Sequence, residues 1–453
     1  MKSFSINDVA KATGGRLCGS DDGALISSVT MDSRLAKEGS LFVAIKGERV
    51  DGHDFIKDVF DKGAAAVLCD HVPEGVTGAC IVVEDTVKAL QELAGWYRSI
   101  LPVKVVGITG SVGKTSTKEM VASVLSAGFK VLKTQGNYNN EIGLPLTVLS
   151  IDEDTEIAVL EMGISDFGEM RVLSRIARPD ICVITNIGQS HLENLGTRDG
   201  ILKAKAEIFE FRNKNGAIFL NGDDDKLMTV MDVDGTKPVF YGMGKSNYAH
   251  PESIVSLGLS GSEMTIMLGE RKFDARITIP GNHMVMNACV SAAIGKNLGM
   301  SIEDIKKGLA SATTISGRLN LIKNGDGYII DDCYNAAPLS MKASVDTLCL
   351  AKGKKVAILG DMFELGKDTE TMHAEVGAYA ASKPIDKYVF VGELGECMYK
   401  AAKEKAPDKD MVYFKTLDDC LSALDRLIAS DDNVLVKASN GMHFSKIVEK
   451  FKS

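Results

Sequence analysis

Gly110-Ser-Val-Gly113-Lys114-Thr115 follows directly on the apolar run Val103–Ile108 and leads into a helix-compatible run, Ser116–Ala127. An apolar strand that empties into a glycine turn, then Lys-Thr, then a helix is a layout that cradles a polyphosphate. The glycines let backbone N–H groups approach phosphate oxygens, and the helix start adds its positive dipole end. In this layout Gly110, Ser111, Val112, Gly113, Lys114, Thr115 and Ser116 form a nucleotide-binding loop. Lys114 reaches the β/γ-phosphates and the Thr115 hydroxyl suits Mg²⁺. The usual pattern has a further glycine five residues before Gly113, where this chain carries Ile108. A plain glycine turn is the alternative.

Around this loop the chain alternates apolar strands with helical stretches. Residues 1–98 carry strands at Leu41–Ala44, Ala65–Cys69 and Ala79–Val83, and helices at Ile6–Thr13, Phe55–Lys62 and Thr86–Ser99. From 99 to 312 the expected strands are Val103–Ile108, Ile157–Met162, Ile181–Asn186 and Ala217–Asn221, with an alanine-rich helix at Asn287–Leu298. After Ser316-Gly317-Arg318 the alternation restarts over 313–453, with strands at Tyr328–Asp331, Val356–Leu359, Tyr388–Val391 and Val434–Lys437. Such alternation predicts an α/β protein of mostly parallel sheets. Its 453 residues suit three domains at about 150 each: a small N-terminal α/β domain, a central phosphate-loop domain and a C-terminal Rossmann-like open sheet.

Composition narrows the class. Hydrophobic residues make up 45% and charged residues 25%, which fits a globular protein with real cores. A net charge of −9 argues against a nucleic-acid surface. No apolar run approaches the roughly 18 residues that span a bilayer. The polar start MKSFSINDVAKATGG reads as no signal peptide, and the nine scattered cysteines without a CxxC pair read as thiols of a reducing cytoplasm.

Several residues stand where a phosphate-loop sheet needs chemistry. Glu161 ends an expected strand, a place suited to completing a Mg²⁺ shell, with a solvated loop glutamate as the alternative. His191 follows another strand end and reads equally as a surface histidine. On the helix expected at Asp199–Phe211, Ile201, Ala204, Ile208 and Phe211 share one face. Lys205 falls ~40° from Ile201, within that face, whereas Lys203 falls ~160° away. A buried ammonium must find a partner, lose its proton or be modified; a stem snorkelling to water is the alternative. Asn137, Asn139 and Asn140 offer amides to a ligand or simply build a turn. Asn287 could read a purine edge or serve the helix. Arg318 offers a cation at a domain junction.

In this order the motifs resemble one family, the ATP-dependent Mur ligases of peptidoglycan synthesis. The resemblance covers essentially the whole chain. It is carried by Thr109-Gly-Ser-Val-Gly-Lys-Thr115, Glu161-Met-Gly163, Thr185-Asn-Ile-Gly188 with His191, Ala204-Lys205 with Glu207-Ile208, Gly281 with His283 and Asn287, and Gly317-Arg318. Three further stretches resemble the member that joins D-Ala-D-Ala to UDP-MurNAc-tripeptide: Asp32-Ser33-Arg34 with Gly47-Glu-Arg49-Val-Asp51-Gly52-His53, Asp331-Asp332-Cys-Tyr334-Asn335-Ala-Ala-Pro338-Leu-Ser-Met341, and Leu359-Gly-Asp361-Met-Phe-Glu364-Leu-Gly366.

The resemblance implies an ADP-forming amide ligase that uses ATP and two Mg²⁺ ions, with UDP-MurNAc-tripeptide and D-Ala-D-Ala as substrates. Lys114, Lys205 and His191 would be catalytic. Thr115 and Glu161 would hold one Mg²⁺, and His191 with a carbamylated Lys205 would serve the second. Asn287 would contact adenine, Asp332 the ribose and Arg318 the phosphates. Ser33, Arg34 and Arg49 would lie near the uridine diphosphate, and Asn137, Asn139 and Asn140 near the muramoyl-peptide end. A cytoplasmic monomer without nucleic-acid or membrane partners is implied.

Three residues depart from the family pattern: Met284 after the histidine, Ala337 for an asparagine, and Asn440 where an arginine is common. The last removes a fork suited to a carboxylate. Another Mur-type ligase or a folylpolyglutamate-synthetase-like ligase is the enzymatic alternative, though the latter leaves residues 1–98 unexplained. A non-catalytic nucleotide switch would need the loop but not the lysine of the apolar helix face.

Overall fold

The computed structural model describes residues 1–19 and 23–452. Two compact units emerge: residues 1–109, 129–183 and 205–217 form the first, and residues 110–128, 184–204 and those from 218 onward form the second.

The first unit opens with helix Ile6–Thr13, fixed at both ends by local chemistry. The Ser5 hydroxyl accepts from the Asp8 N–H at 3.1 Å, the Asp8 carboxylate accepts from the Ser5 N–H at 2.9 Å, and Gly14 closes the helix at φ +67°. A five-stranded sheet follows in the order Arg16–Cys18, Cys80–Val82, Ala66–Cys69, Ser40–Val43, Ser28–Thr30. It is parallel except for its antiparallel edge strand Arg16–Cys18. Asp85 caps helix Thr86–Ser99 by accepting from the Val87 and Lys88 N–H groups. In the same unit Ile157–Glu161 lies parallel to both Lys104–Thr109 and Val131–Lys133. All five of its residues are buried, as a strand covered on both faces requires.

The second unit holds a six-stranded sheet ordered Asn320–Asn324, Gly327–Asp331, Asn433–Lys437, Lys355–Gly360, Lys387–Val391, Asp410–Phe414, parallel except at the first pair. Its side chains alternate between two cores. Ile330, Leu435, Ala357, Leu359, Tyr388 and Phe390 pack into one. Ile329, Val434, Val436, Val356, Ile358, Val389 and Val391 pack into the other. The period of two sends successive residues to opposite faces, so helices are needed on both. Each fully buried Val, Leu or Ile contributes about 1.5–3 kcal/mol.

Two sequence expectations change. Residues 249–277 form an antiparallel meander of Ala249–Ser256, Ser262–Leu268 and Arg271–Ile277 that apolar runs did not announce. Its signal is alternation: Met264, Ile266 and Leu268 are buried while Thr265 and Met267 between them are half-buried. The helix expected at 199–211 spans Arg198–Ala206 and tightens into a 3₁₀ turn at Glu207–Phe209. At three residues per turn the angular phase shifts. Ile201, Ala204 and Ile208 stay buried, but Phe211 is exposed.

Candidate active site

The glycine loop is held in one conformation by the segment that follows strand Ile181–Ile184. Gly110 adopts φ +146°, and a Cβ there would lie 1.9 Å from Thr185 Oγ1. Gly113, at φ +84°, starts helix Lys114–Ser126. Both positions therefore need glycine. The Ser111 N–H donates to the Asn186 carbonyl at 3.0 Å. The Val112 N–H donates to Asn186 Oδ1 at 3.0 Å, and the Val112 carbonyl accepts from Asn186 Nδ2 at 2.8 Å and from the Thr185 hydroxyl at 2.6 Å. The Gly188 N–H donates to Ser111 Oγ at 2.9 Å. With Val112 pinned on both sides, the first-turn N–H groups of the helix, which lack intrahelical acceptors, face one direction with the positive dipole end. The Lys114 ammonium donates to the Gly110 carbonyl at 2.8 Å, so it lies across the loop.

A cavity of about 590 Å³ opens beside the loop, within the roughly 300–1,000 Å³ range of small-molecule sites. Val112, Gly113, Ser116, Asn287, Arg318 and Asp332 line it, so the structure brings these predicted residues together. Asn287 is buried and its Oδ1 accepts from the Thr117 hydroxyl at 3.0 Å, joining two helices. The Arg318 guanidinium stacks 4.2 Å from the Tyr334 ring centre, which aims it as a flat cation. Asp332 is engaged by protein donors. Its Oδ1 accepts from the Leu319 N–H at 3.2 Å, and its Oδ2 accepts from the Ser344 hydroxyl at 2.5 Å and the Lys437 ammonium at 2.6 Å. His283 is also on the wall: burial pushes its pKa below the usual value, with Asp332 pulling it up and Lys437 pulling it down.

A second cleft of about 310 Å³ is lined by Ser111, Lys114, Thr115, His191, Glu364 and Asn440 among others. His191 Nδ1 sits 2.8 Å from Glu364 Oε2, and both residues adopt left-handed backbones, at φ +58° and +62°. Such backbones are uncommon outside glycine and mark positions fixed by their surroundings.

In the first unit, Glu161 is buried at the end of its strand. Its N–H donates to Thr134 Oγ1 at 3.0 Å, and its Oε1 accepts from Asn139 Nδ2 at 2.9 Å. Asn139 thus orients that carboxylate. Asn140 has a structural use: its Oδ1 accepts from the Ile142 and Gly143 N–H groups at 3.2 and 2.9 Å. Asn137 is exposed. Lys205 is 1% exposed whereas Lys203 is exposed, as the helical phase required. Arg34 is 85% exposed and ion-paired with Asp32 at 2.6 Å, which holds the Asp32 carboxyl down at about 2. Ser33 belongs to the 3₁₀ turn that Asp32 caps, and Arg49 is exposed.

Family models match in three blocks: "Mur ligase family, catalytic domain" over residues 25–104, "Mur ligase middle domain" over 108–295 and "Mur ligase, glutamate ligase domain" over 317–440. A UDP-N-acetylmuramoyl-tripeptide–D-alanyl-D-alanine ligase from Bacillus subtilis (strain 168) is 41% identical across 99% of this chain and 98% of its own length. This chain belongs to the Mur ligase family. Crystalline MurF from Acinetobacter baumannii superposes with a TM-score of 0.91 at 32% identity, covering 100% of both chains. MurF ligase from Thermotoga maritima in complex with ADP gives 0.83 at 29% identity, covering 94% of this chain and 97% of that one. The fold is thus the three-domain α/β Mur ligase fold with mostly parallel sheets.

For this Mur ligase, residue-by-residue reading missed Asn186 and Lys437 as parts of the site. Asn186 stood inside the quoted Thr185-Asn-Ile-Gly188 motif, but nothing local revealed that its amide closes on Val112. Among the described residues, no helix is long and apolar enough to cross a membrane.

Proposed function

We propose that this Mur ligase adds D-Ala-D-Ala to UDP-MurNAc-tripeptide with cleavage of ATP to ADP and phosphate. The ATP γ-phosphoryl group passes to the terminal carboxylate of the tripeptide. The amine of D-Ala-D-Ala then attacks the acyl carbon, the C–O bond to phosphate breaks, and the amide forms with loss of the amine proton. The observation that carries the reading is the pinned loop 110–115 beside a 590 Å³ cavity, in a chain 41% identical to a ligase of that name.

The loop N–H groups and Lys114 would hold the phosphate oxygens and offset repulsion as the carboxylate approaches. Arg318 would take the phosphates, with Asn287 at the adenine and Asp332 towards the ribose. Ser33, Arg34 and Arg49 are proposed for the uridine diphosphate, and Asn139 for the muramoyl-peptide end together with Asn137 and Asn140. Thr115, Glu161, His191 and a carbamylated Lys205 are the residues that would hold two Mg²⁺. A hydroxyl and carboxylates suit that hard, oxygen-preferring ion, with the His191 imidazole its least matched donor, and Glu161 is already oriented by Asn139. Bound Mg²⁺ would supply charge neutralisation between the reacting anions. We place domain limits at residues 98 and 312, and read the enzyme as a cytoplasmic monomer.

Lys114→Ala tests the reading. Phosphate release dependent on D-Ala-D-Ala should fall at least about a hundredfold, the size seen when one donor to a developing anion is removed. Calorimetric affinity for the UDP-muramoyl tripeptide should be retained. Wild-type turnover, or loss of that affinity, refutes the assignment.

A further inference from the structure

We infer that Glu364 is a positioning residue of the ligase reaction: its carboxylate sets the tautomer and the direction of the His191 ring. The inference rests on the proposed ligase function, in which His191 serves a Mg²⁺.

One short contact carries the argument. His191 Nδ1 lies 2.8 Å from Glu364 Oε2. An ionised carboxylate only accepts, so the proton of that bond belongs to Nδ1. In the neutral ring the lone pair then falls on Nε2, at the opposite edge of the imidazole. Both residues line the cleft that also holds Lys114 and Thr115. A carboxylate on one ring nitrogen fixes the orientation of a metal-ligating histidine and makes its other nitrogen more basic. Imidazole is the least matched donor for a hard, oxygen-preferring ion, so His191 is the ligand for which such support changes most.

The backbone on each side is braced for this meeting. Glu364 stands between Met362 and Leu365, which are buried in one core of the C-terminal sheet. The Met362 N–H donates to His373 Nε2 at 2.8 Å, and the Phe363 N–H donates to Ser439 Oγ at 2.9 Å. Opposite, the His191 carbonyl accepts from the Leu195 N–H at 3.0 Å, and Leu192 packs against the same core as Met362 and Leu365. Each side chain leaves its loop at a left-handed residue, φ +58° for His191 and +62° for Glu364. Non-glycine residues keep that conformation where their surroundings impose it. The pair does little for stability, because the Glu364 side chain is 64% exposed and exposed ion pairs contribute little. What it supplies is the direction of one ring.

The test labels the full chain with ¹⁵N-histidine and reads the His191 ring by long-range ¹H–¹⁵N correlation, with His191→Gln to assign the signal. Wild type, Glu364→Ala, Glu364→Gln and Lys367→Ala are compared, Lys367 being an exposed neighbour on the same loop. We expect the Nδ1–H tautomer in wild type and in Glu364→Gln, whose amide oxygen still accepts, and a shift towards Nε2–H in Glu364→Ala. In phosphate-release assays Glu364→Ala should lose about tenfold or more in kcat, with KM for ATP and for D-Ala-D-Ala within about twofold of wild type. Urea midpoints should coincide, and Lys367→Ala should match wild type throughout. An unchanged His191 signal or an unchanged kcat in Glu364→Ala overturns the role. So does a Lys367→Ala variant that reproduces the loss, or a lowered urea midpoint in Glu364→Ala. Wild type without phosphate release dependent on D-Ala-D-Ala refutes the ligase reading instead, and the tautomer comparison then judges the pairing of Glu364 with His191 separately.

Discussion

Asn186 and Val112 hold each other in both directions: the Val112 N–H donates to Asn186 Oδ1 at 3.0 Å, and Asn186 Nδ2 donates back to the Val112 carbonyl at 2.8 Å. The pair fixes the middle of the phosphate loop without touching a phosphate. Asn186→Ala removes both bonds, each worth about 0.5–1.5 kcal/mol. We predict that ATP affinity, measured by titration calorimetry, falls about tenfold. Asn186→Asp should be worse, because a carboxylate then faces the Val112 carbonyl and adds negative charge near the phosphates. An unchanged ATP affinity in Asn186→Ala would show that the loop holds itself.

The Lys437 ammonium is 2% exposed and meets Asp332 Oδ2 at 2.6 Å, with the Asn335 carbonyl at 3.0 Å. Removing one member of a buried pair strands the other charge, at a cost of about 3–5 kcal/mol. Lys437→Met should therefore lower stability by that amount in urea without nucleotide. Adding Asp332→Asn should recover much of the loss, since no lone charge remains. A single variant within about 1 kcal/mol of wild type would mean that water reaches Asp332.

What the sequence reveals here depends on how local the cause is. Helix Ile6–Thr13 was legible to the residue because Ser5, Asp8 and Gly14 lie within the segment they terminate. The phosphate loop was legible because strand, glycines, lysine and helix are contiguous. Lys205 was legible through phase alone, until the 3₁₀ turn after Ala206 broke the phase and turned Phe211 outward. The bonds from Asn186 to Val112 and from Lys437 to Asp332 close over long stretches of chain. No periodicity encodes them, so Asn186 and Lys437 stayed out of reach. The meander at 249–277 was hidden because its buried residues alternate with partly or fully exposed ones, as at Ala275 and Ile277 on either side of Arg276.

His373 gives the fold a pH dependence with a definite sign. Burial lowers its pKa below the ordinary 6.5, against weaker opposing pulls from the Thr369 backbone and Asp361. Its Nε2 accepts from the Met362 N–H at 2.8 Å, so the folded state keeps the ring neutral. The unfolded chain binds a proton below pH 6.5 that the folded chain refuses. Stability therefore begins to fall as pH drops below 6.5 and stops falling at the lower folded pKa. The slope is at most about 1.4 kcal/mol per pH unit for this group. His373→Gln, which cannot titrate, should be less stable than wild type at pH 7.5, with the gap narrowing at pH 5.5. A gap of constant size in urea titrations would rule out His373 as the source.

Lys205 and Lys203 are two residues apart on one helix and have opposite exposures, which makes them a matched pair for testing chemistry. The neutral amine is the form of a lysine that attacks CO₂. Carbamylation forms a C–N bond, releases the proton and leaves a carboxylate on the side chain. If Lys205 works in that form, Lys205→Ala should lose ligase activity and regain part of it with added short carboxylic acids. Lys203→Ala should stay near wild type. Stripping CO₂ from the buffer should lower wild-type activity reversibly, because the carbamate is in equilibrium with the amine. Mass and ¹³C-NMR detection of ¹³CO₂ on the wild type but not on Lys205→Ala provides a readout independent of turnover. An active Lys205→Ala enzyme would refute the modification. Loss of activity from Lys203→Ala alone would move the role to the exposed lysine.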